Sequence, residues 1–297
     1  MNSCYRMNNT NNHNMKQMLK QADALQGKTF SSMSITDVDF QRLVKFIQSN
    51  YGINLSQKRQ LITGRLSVSL KQKGYSNFKD FVDHILKTRD EAEITFLLDK
   101  LTTNYTFFMR EKEHLDLFQT RIIPDIVRKH QRDKTLAIWS AGCSSGEEPY
   151  NITMYLYDYL GTQASQWDTR LLATDISSKA LAAAQRGVYE LPDTIPPEWK
   201  RKYFRPESGG LYGVTPEVKK NVIFQTFNLM DPIRFRRKFD VIFCRNVMIY
   251  FDQPTKDALV QRFYDALVPG GYFLISYSEN LSQNTPFRRL APATFQK

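Results

Sequence analysis

The chain has 297 residues, 41% of them hydrophobic, which suffices for one large domain and a smaller companion with a true core. No apolar run approaches the ~20 residues that cross a bilayer, and residues 1–14 are Asn-rich without the apolar stretch of a secretory signal, so neither a membrane-spanning nor an exported protein is expected. Cys4, Cys143 and Cys244 form no C-x-x-C pair and the four histidines are scattered; disulfides and a metal site are not expected, and a reducing cytosol is the natural compartment.

Residues 1–31 are polar and lack sustained periodicity, which predicts a disordered tail with at most a transient helix over 15–25. Residues 36–51 carry Val38, Phe40, Leu43, Val44, Phe46 and Ile47 at helical spacing, with Thr36 or Asp37 as N-cap and Gly52 as the stop. A second helix is expected over 56–73, with Leu61, Ile62, Leu66 and Leu70 on one face and Lys58, Arg59, Arg65, Lys71 and Lys73 on its polar side. Helices over 77–86 and 90–101 complete a small bundle spanning 32–101. Of the net charge of +11, residues 40–79 contribute eight basic side chains and no acidic one. That stretch is either a solvated face or a surface for an acidic partner, and charge alone does not choose between nucleic acid, anionic lipid and acidic protein.

Residues 102–134 form the expected linker and the first helix, 114–130, of a second domain. The stretch Leu101-Thr-Thr-Asn-Tyr-Thr-Phe-Phe-Met-Arg-Glu111 interleaves polar and aromatic side chains. Asn104, Thr106 and Arg110 do not share one helical face, so a linker wrapping a ligand and a plain interdomain linker both fit.

The rest of the chain is organised around Ile138-Trp-Ser-Ala-Gly-Cys-Ser-Ser-Gly-Glu-Glu-Pro-Tyr150. Residues 136–139 read as a buried strand, Gly142 and Gly146 as a turn, and residues 147–160 as a helix. Strand, glycine turn and helix N-terminus together let a ligand lie on backbone atoms at the carboxyl end of a parallel sheet. Two glutamates at the helix start argue against phosphate and suit a cationic ligand, or one rich in hydroxyls and amines; the pattern is not that of a P-loop. A tight structural turn fits so short a match equally well.

A second strand over 170–175 ends in Asp175, placed either to hold ribose hydroxyls or to cap the helix expected over 177–187. Further strands are expected over 222–227, 239–246 and 272–277, a helix over 254–267, a turn at Pro269-Gly-Gly271, and a last antiparallel strand over 293–296. Strands alternating with helices over 135–297 predict an α/β doubly wound sheet, with its polar residues at strand carboxyl ends. The turn-rich segment 205–221 is expected to join short strands.

Four stretches in order resemble the CheR family of chemotaxis receptor methyltransferases: Leu101-Thr-Thr-Asn with Phe-Met-Arg110, Ser140-Ala-Gly-Cys-Ser-Ser-Gly-Glu-Glu-Pro-Tyr150, Ala173-Thr-Asp-Ile176, and Ile242-Phe-Cys-Arg-Asn-Val-Met-Ile-Tyr-Phe251. The resemblance covers residue 32 onward. It implies an S-adenosylmethionine-dependent glutamate O-methyltransferase with a helical N-terminal domain, a Rossmann-like class I methyltransferase sheet and an inserted antiparallel β-subdomain. Its substrates would be carboxylates on the cytoplasmic helices of chemoreceptors, methylated for chemotactic adaptation. It further implies a cytoplasmic monomer recruited to receptor arrays, without nucleic acid or membrane insertion.

By matching positions, the cofactor contacts would be Asn104, Thr106 and Arg110 in the linker, Gly142 with Glu147 or Glu148 at the first turn, Asp175 at the ribose, and Asn228, Leu229, Arg245 and Asn246 beyond. Arg110 and Tyr250 would act on the reacting groups, and Lys58, Arg59, Arg65 and Lys71 would dock the acidic receptor helices. The segment around Ser208-Gly-Gly-Leu-Tyr212 is short beside family members that grip a receptor C-terminal peptide, so tether-independent action is expected. Two other readings remain: a nucleic-acid methyltransferase, against which stands the lack of an N-P-P-Y, D-P-P-Y or Pro-Cys motif, and a non-catalytic module that binds the cofactor and signals.

Overall fold

The computed structural model describes residues 33–297; the expected disordered tail and its transient helix lie outside the described residues. The first helix, α1 (Asp37–Tyr51), starts where the Thr36 hydroxyl accepts the Asp39 N–H at 3.1 Å and stops at Gly52, whose φ of 71° leaves the helical region. Then come α2 (Arg59–Gln72), α3 (Phe78–Thr88, capped by Asn77) and α4 (Glu91–Leu101, capped by Asp90). Leu43, Ile47, Ile62, Leu66, Leu70, Phe81, Val82 and Ile85 from the first three helices are fully buried together. The second helix starts at Arg59 rather than at residue 56, because the chain turns at 56–57 first.

The acid-free basic stretch meets carboxylates from its surroundings. Arg59 pairs with Asp37, donates to the Ile35 carbonyl at 2.8 Å and lies over the Phe40 ring. Arg65 donates to the carbonyls of Leu101 and Thr102, both at 3.0 Å, so its guanidinium closes the C-terminal end of α4. Arg42 pairs with Asp83 at 2.6 Å and Lys73 with Glu93 at 3.1 Å.

The expected continuous helix over 114–130 is instead α5 (Lys112–Leu117), a π turn (Phe118–Ile122) and α6 (Ile123–Lys129). The sheet that follows contains β1 (Ile138–Ala141), β2 (Leu171–Asp175), β6 (Val222–Thr226), β7 (Phe239–Phe243), β8 (Leu267–Leu274), β9 (Arg288–Ala291) and β10 (Thr294–Gln296). Their order is β6-β2-β1-β7-β8-β10-β9. The first five are parallel, β10 is antiparallel to β8, and β9 pairs antiparallel outside it. The helices α7 (Glu147–Leu160), α8 (Ser178–Arg186) and α11 (Gln253–Ala266) connect these strands. Trp139 is fully buried among Phe227, Phe235, Phe239 and Phe263.

Two strand expectations are corrected. Residues 293–296 do pair antiparallel, but β9, which sequence reading missed, forms the edge; its exposed arginines hide the alternation that marks a strand. Pro269-Gly-Gly271 is not a turn before β8 but a bulge within it. Pairing steps from Phe239–Leu267 directly to Val241–Tyr272, and Gly270 takes φ 72° to absorb the extra residues.

The small antiparallel sheet also begins earlier than residue 205. It has the order β3-β5-β4, from β3 (Val188–Tyr189), β4 (Phe204–Pro206) and β5 (Tyr212–Val214), with α9 (Pro197–Tyr203) between and α10 (Pro216–Lys219) after. It rests on the main domain through the Tyr189 hydroxyl, which donates to the Ser145 carbonyl at 2.6 Å, and through Phe204 against Phe108.

The helical bundle is tied to the sheet at two points. Asp99 of α4 accepts from the hydroxyls of Ser177 and Ser178 at 2.7 and 2.8 Å at the start of α8. On the far side, Gln48 donates to Asp252 at 2.8 Å, the Asn54 N–H donates to the Tyr250 carbonyl at 2.8 Å, and Ile53 bridges Phe251.

Candidate active site

The glycine turn is held against the end of β2: the N–H groups of Gly142 and Cys143 both donate to the Thr174 carbonyl, at 2.7 and 2.9 Å. Gly142 has φ 83°, and a Cβ there would lie 2.3 Å from Val247 Cγ2, so only glycine lets β1 and the loop after β7 come this close. Asp175 is buried with both oxygens turned to backbone: Oδ2 accepts from Ser144 at 2.8 Å and Oδ1 from Ser177 at 2.9 Å. Burial pushes its carboxyl up, and these N–H groups pull it part of the way back. The alternative that Asp175 caps the next helix is corrected: the cap of α8 is the Ser177 hydroxyl, which accepts from Ala180 at 3.1 Å.

A cavity of about 320 Å³ opens over the carboxyl ends of β1, β2 and β7. Its walls come from three places: the loop 51–55 after α1, the linker 101–107 with Arg110, and the strand ends. Asn104, Thr106 and Arg110 line the linker side, while Gly142, Glu148 and Asp175 line the floor. Asn228, Leu229, Arg245, Asn246 and Tyr250 close the far side. Of the four basic residues expected to dock a partner, Lys58 reaches the rim of this cavity. The two glutamates diverge. Glu148 lines the cavity, whereas Glu147 turns aside to accept the Ser145 hydroxyl at 2.8 Å, with burial raising its carboxyl.

Beneath the cavity runs an ionic network whose hub is Arg245, with only 3% of its side chain exposed. It donates to Glu148 at 2.9 Å, to Glu111 at 3.0 Å and to the Arg110 carbonyl at 2.6 Å. Glu111 also accepts the Ser276 hydroxyl at 2.7 Å. Burial resists ionisation of Glu111, but the His114 ring nitrogen 3.3 Å away, the Ser276 hydroxyl and the charge of Arg245 prevail and hold its carboxyl at about 2. Glu279 closes the network's other end. It accepts the N–H groups of Ser276, Asn246 and Ile249, at 2.8, 3.1 and 3.1 Å, and so shapes the loop that carries Asn246 at φ 61° and leads to Tyr250. Arg110 itself is half-buried over Phe107 and donates to the Tyr105 carbonyl at 2.9 Å.

Sequence reading missed Glu111, Asn151, Ser276 and Glu279. Asn151 is one turn beyond Glu148 on α7, which was the available signal; its Oδ1 accepts the Met109 N–H at 2.7 Å and ties the linker down. The Asn151 amide nitrogen and Arg245 Nε are buried beside the cavity without a partner among the described residues, leaving two donors to serve a ligand's acceptors.

Neither buried thiol suits nucleophilic work: burial raises both Cys143 and Cys244 well above the usual range. No histidine lines the cavity. The site can hold and orient a ligand with hydroxyls, a cationic part and acceptor oxygens.

A doubly wound sheet with two antiparallel strands at one edge, a glycine turn after β1 and an acid at the end of β2 defines a class I methyltransferase, with S-adenosylmethionine as cofactor. The model of the CheR methyltransferase SAM-binding domain matches residues 104–295, and that of the CheR all-alpha domain matches residues 38–102. The chain belongs to the CheR methyltransferase family. It is similar to the chemotaxis protein methyltransferase of Borreliella burgdorferi, at 40% identity over 92% of this chain and 98% of that one. The chemotaxis protein methyltransferase of Escherichia coli is 34% identical over 84% of this chain and 87% of that one. A solved S-adenosylmethionine-dependent methyltransferase from Mesorhizobium loti aligns over 53% of this chain and 54% of that one at 17% identity and a TM-score of 0.29, too low to bear any argument.

The residues present fit that cofactor. Asp175 retains acceptor capacity for a diol, Glu148 puts negative charge where a cation would sit, and the two orphan donors suit a carboxylate.

Proposed function

We propose that this chain methylates glutamate side-chain carboxylates on the cytoplasmic helices of chemoreceptors, giving methyl esters for adaptation. The observation that carries the reading is a cavity that is rich in orienting groups, lacks a histidine, and has its carboxylates Glu148 and Asp175 held by Arg245 and by backbone N–H groups. A glutamate acceptor, at an ordinary pKa of about 4.3, is already ionised at neutral pH and needs no base. S-adenosylmethionine, when bound, supplies a methyl group activated by the adjacent sulfonium charge. The chain's own residues then have to position and to exclude water.

In this reading Asp175 takes the ribose hydroxyls, and Asn104 and Thr106 cover the cofactor from the linker. Gly142 allows close approach, Glu148 faces the positive part, and Asn228 and Leu229 border the adenine. Arg245 and Asn246 close the far side towards the methionine end. Arg110 orients a carboxylate, and Tyr250 stands beside the transferred group. Glu147 supports the turn from outside the cavity. Lys58, Arg59, Arg65 and Lys71 face the receptor. Because Arg59 and Arg65 are bonded internally, they act as fixed charges, which lowers the ordering cost of docking. The enzyme works as a cytoplasmic monomer without a receptor-tail tether.

The test is incubation with methyl-labelled S-adenosylmethionine and a chemoreceptor cytoplasmic fragment, followed by mild base and collection of volatile methanol. Base-released label that disappears when the receptor glutamates become alanine supports the proposal. Label that survives base refutes it, as does no label on the receptor despite cofactor binding.

A further inference from the structure

The chain's positive charge collects on the edge of the sheet opposite the cavity. Parallel strands all enter from one edge, and the register fixes which residues meet there. Thr135 bridges Asp168, Leu171 pairs with Val222, and Ile138 pairs with Val241. The segments leading into β1, β2, β6 and β7 therefore lie side by side. They bring Arg132 and Lys134, Arg170, Lys219 and Lys220, and the run Arg234-Phe-Arg-Arg-Lys238 into one row. Lys297 joins them, because β10 runs antiparallel to β8 and its end reaches Gly271.

Three of the acids on this edge are already committed, while Glu217 beside Lys219 and Asp265 on the wall of a neighbouring groove, which accepts from Gln261 at 3.2 Å, offset part of the positive charge. Asp168 is forked by Arg170, Asp133 is bonded to His130, and Asp240 is buried, accepting from His130 and from the Ala137 N–H. The run at 234–238 is different. Arg234, Arg236, Arg237 and Lys238 are all exposed, and none has an ion pair among the described residues. Beside the run is a groove of about 390 Å³ that also holds Arg262, whose Nε is buried without a partner.

We propose that this basic edge docks on the surface of an anionic lipid bilayer, with the cavity facing away from it. The charges are spread in a row across four chain segments, which suits an extended anionic surface better than a point ligand. Nucleic acid is the weaker fit. Single strands need several exposed aromatic faces for stacking, and of the exposed aromatics of the described residues, Tyr105, Phe107, Tyr159 and Tyr277, Tyr159 alone, in the last turn of α7, lies near this edge. No helix among the described residues is long and apolar enough to cross a membrane, so the contact is peripheral. The proposal is independent of which protein is methylated.

The test is co-sedimentation of the full chain with vesicles of phosphatidylcholine alone or with 30% phosphatidylglycerol, at low and high salt. Selective binding to the anionic vesicles, reversed by salt, is expected. The Arg234→Gln/Arg236→Gln/Arg237→Gln/Lys238→Gln variant should partition about six-hundredfold more weakly, at roughly fivefold for each of four cations, while keeping cofactor affinity and its melting temperature. Equal binding by the variant, equal binding to neutral vesicles, or tight binding of a 20-nucleotide RNA with no vesicle binding would each overturn the proposal.

Discussion

Arg245→Met tests the ionic network under the cavity. The change keeps side-chain length but leaves Glu148 and Glu111 without their shared cation, and the Arg110 carbonyl without its donor. Removing one partner of a buried ion pair costs about 3–5 kcal/mol. Some water reaches both carboxylates, with 13% and 17% of their side chains exposed, which favours the lower figure, about 3 kcal/mol. For a domain of this size that lowers the melting temperature by roughly 6–12 °C.

The loss must also depend on pH. In the native protein Glu111 sits at about 2 against an ordinary 4.5, so its contribution is complete above pH ~4.5 and disappears as pH falls towards 2. Without Arg245 the charge and the bond it supplies are lost while burial and the Ser276 bond remain, so the carboxyl moves up from its native position, and the loss is greatest at neutral pH and shrinks as the group protonates. Urea unfolding of both proteins at pH 7.5 and 4.5 should show the stability gap narrowing at the lower pH. Adding Glu111→Gln to the variant should restore about 1 kcal/mol at pH 7.5. A gap below about 1 kcal/mol at pH 7.5, or one equally wide at pH 4.5, would refute the argument.

Three further predictions concern the cavity. Glu148→Gln should weaken S-adenosylmethionine binding about tenfold by calorimetry, at roughly 1.4 kcal/mol, whereas Glu147→Gln should change it less than about twofold; equal effects would show that the divergence of the two side chains does not matter. Asp175→Ala leaves the Ser144 and Ser177 N–H groups unmet, at about 1–3 kcal/mol each, and should lower both stability and cofactor affinity; unchanged affinity would remove Asp175 from the site. Gly142→Ala combines a positive φ, costing about 1–2 kcal/mol, with a clash against Val247, and should destabilise by more than about 2 kcal/mol in thermal melts; a neutral result would mean the turn relaxes freely.

Sequence was most informative where the determinants are local. Thr36, one of the two caps the sequence offered for the first helix, acts on the N–H three residues on, whereas Gly142 and Asp175 stood out by residue type at a strand end although the groups they meet, Val247 and Ser144, are remote in the chain. The missing members of the site act across the fold. Glu279 meets Asn246 only because β8 lies beside β7, and Glu111 meets Arg245 only because the linker folds back across the same strands. The charge pattern behaved the same way. The acid-free run at 40–79 was conspicuous in one dimension yet is largely matched by Asp37, Asp83 and Glu93 in three. The run at 234–238 gains weight only once the register lines it up with the entrances of neighbouring strands. The bulge in β8 was hidden because Pro-Gly-Gly has the composition of a turn whether the strand begins before it or after it.

The cavity is also a seam. Its walls belong to the helical bundle, to the linker and to the sheet, and Asn151 fastens the linker through the Met109 N–H. A cofactor seated there touches both halves and acts as a clasp between them. At a hundred times its dissociation constant it would add about 2.7 kcal/mol against opening. The bare enzyme is then the looser of two forms, and the linker around Tyr105 and Phe107, exposed at 73% and 40%, is where a protease would first find it open.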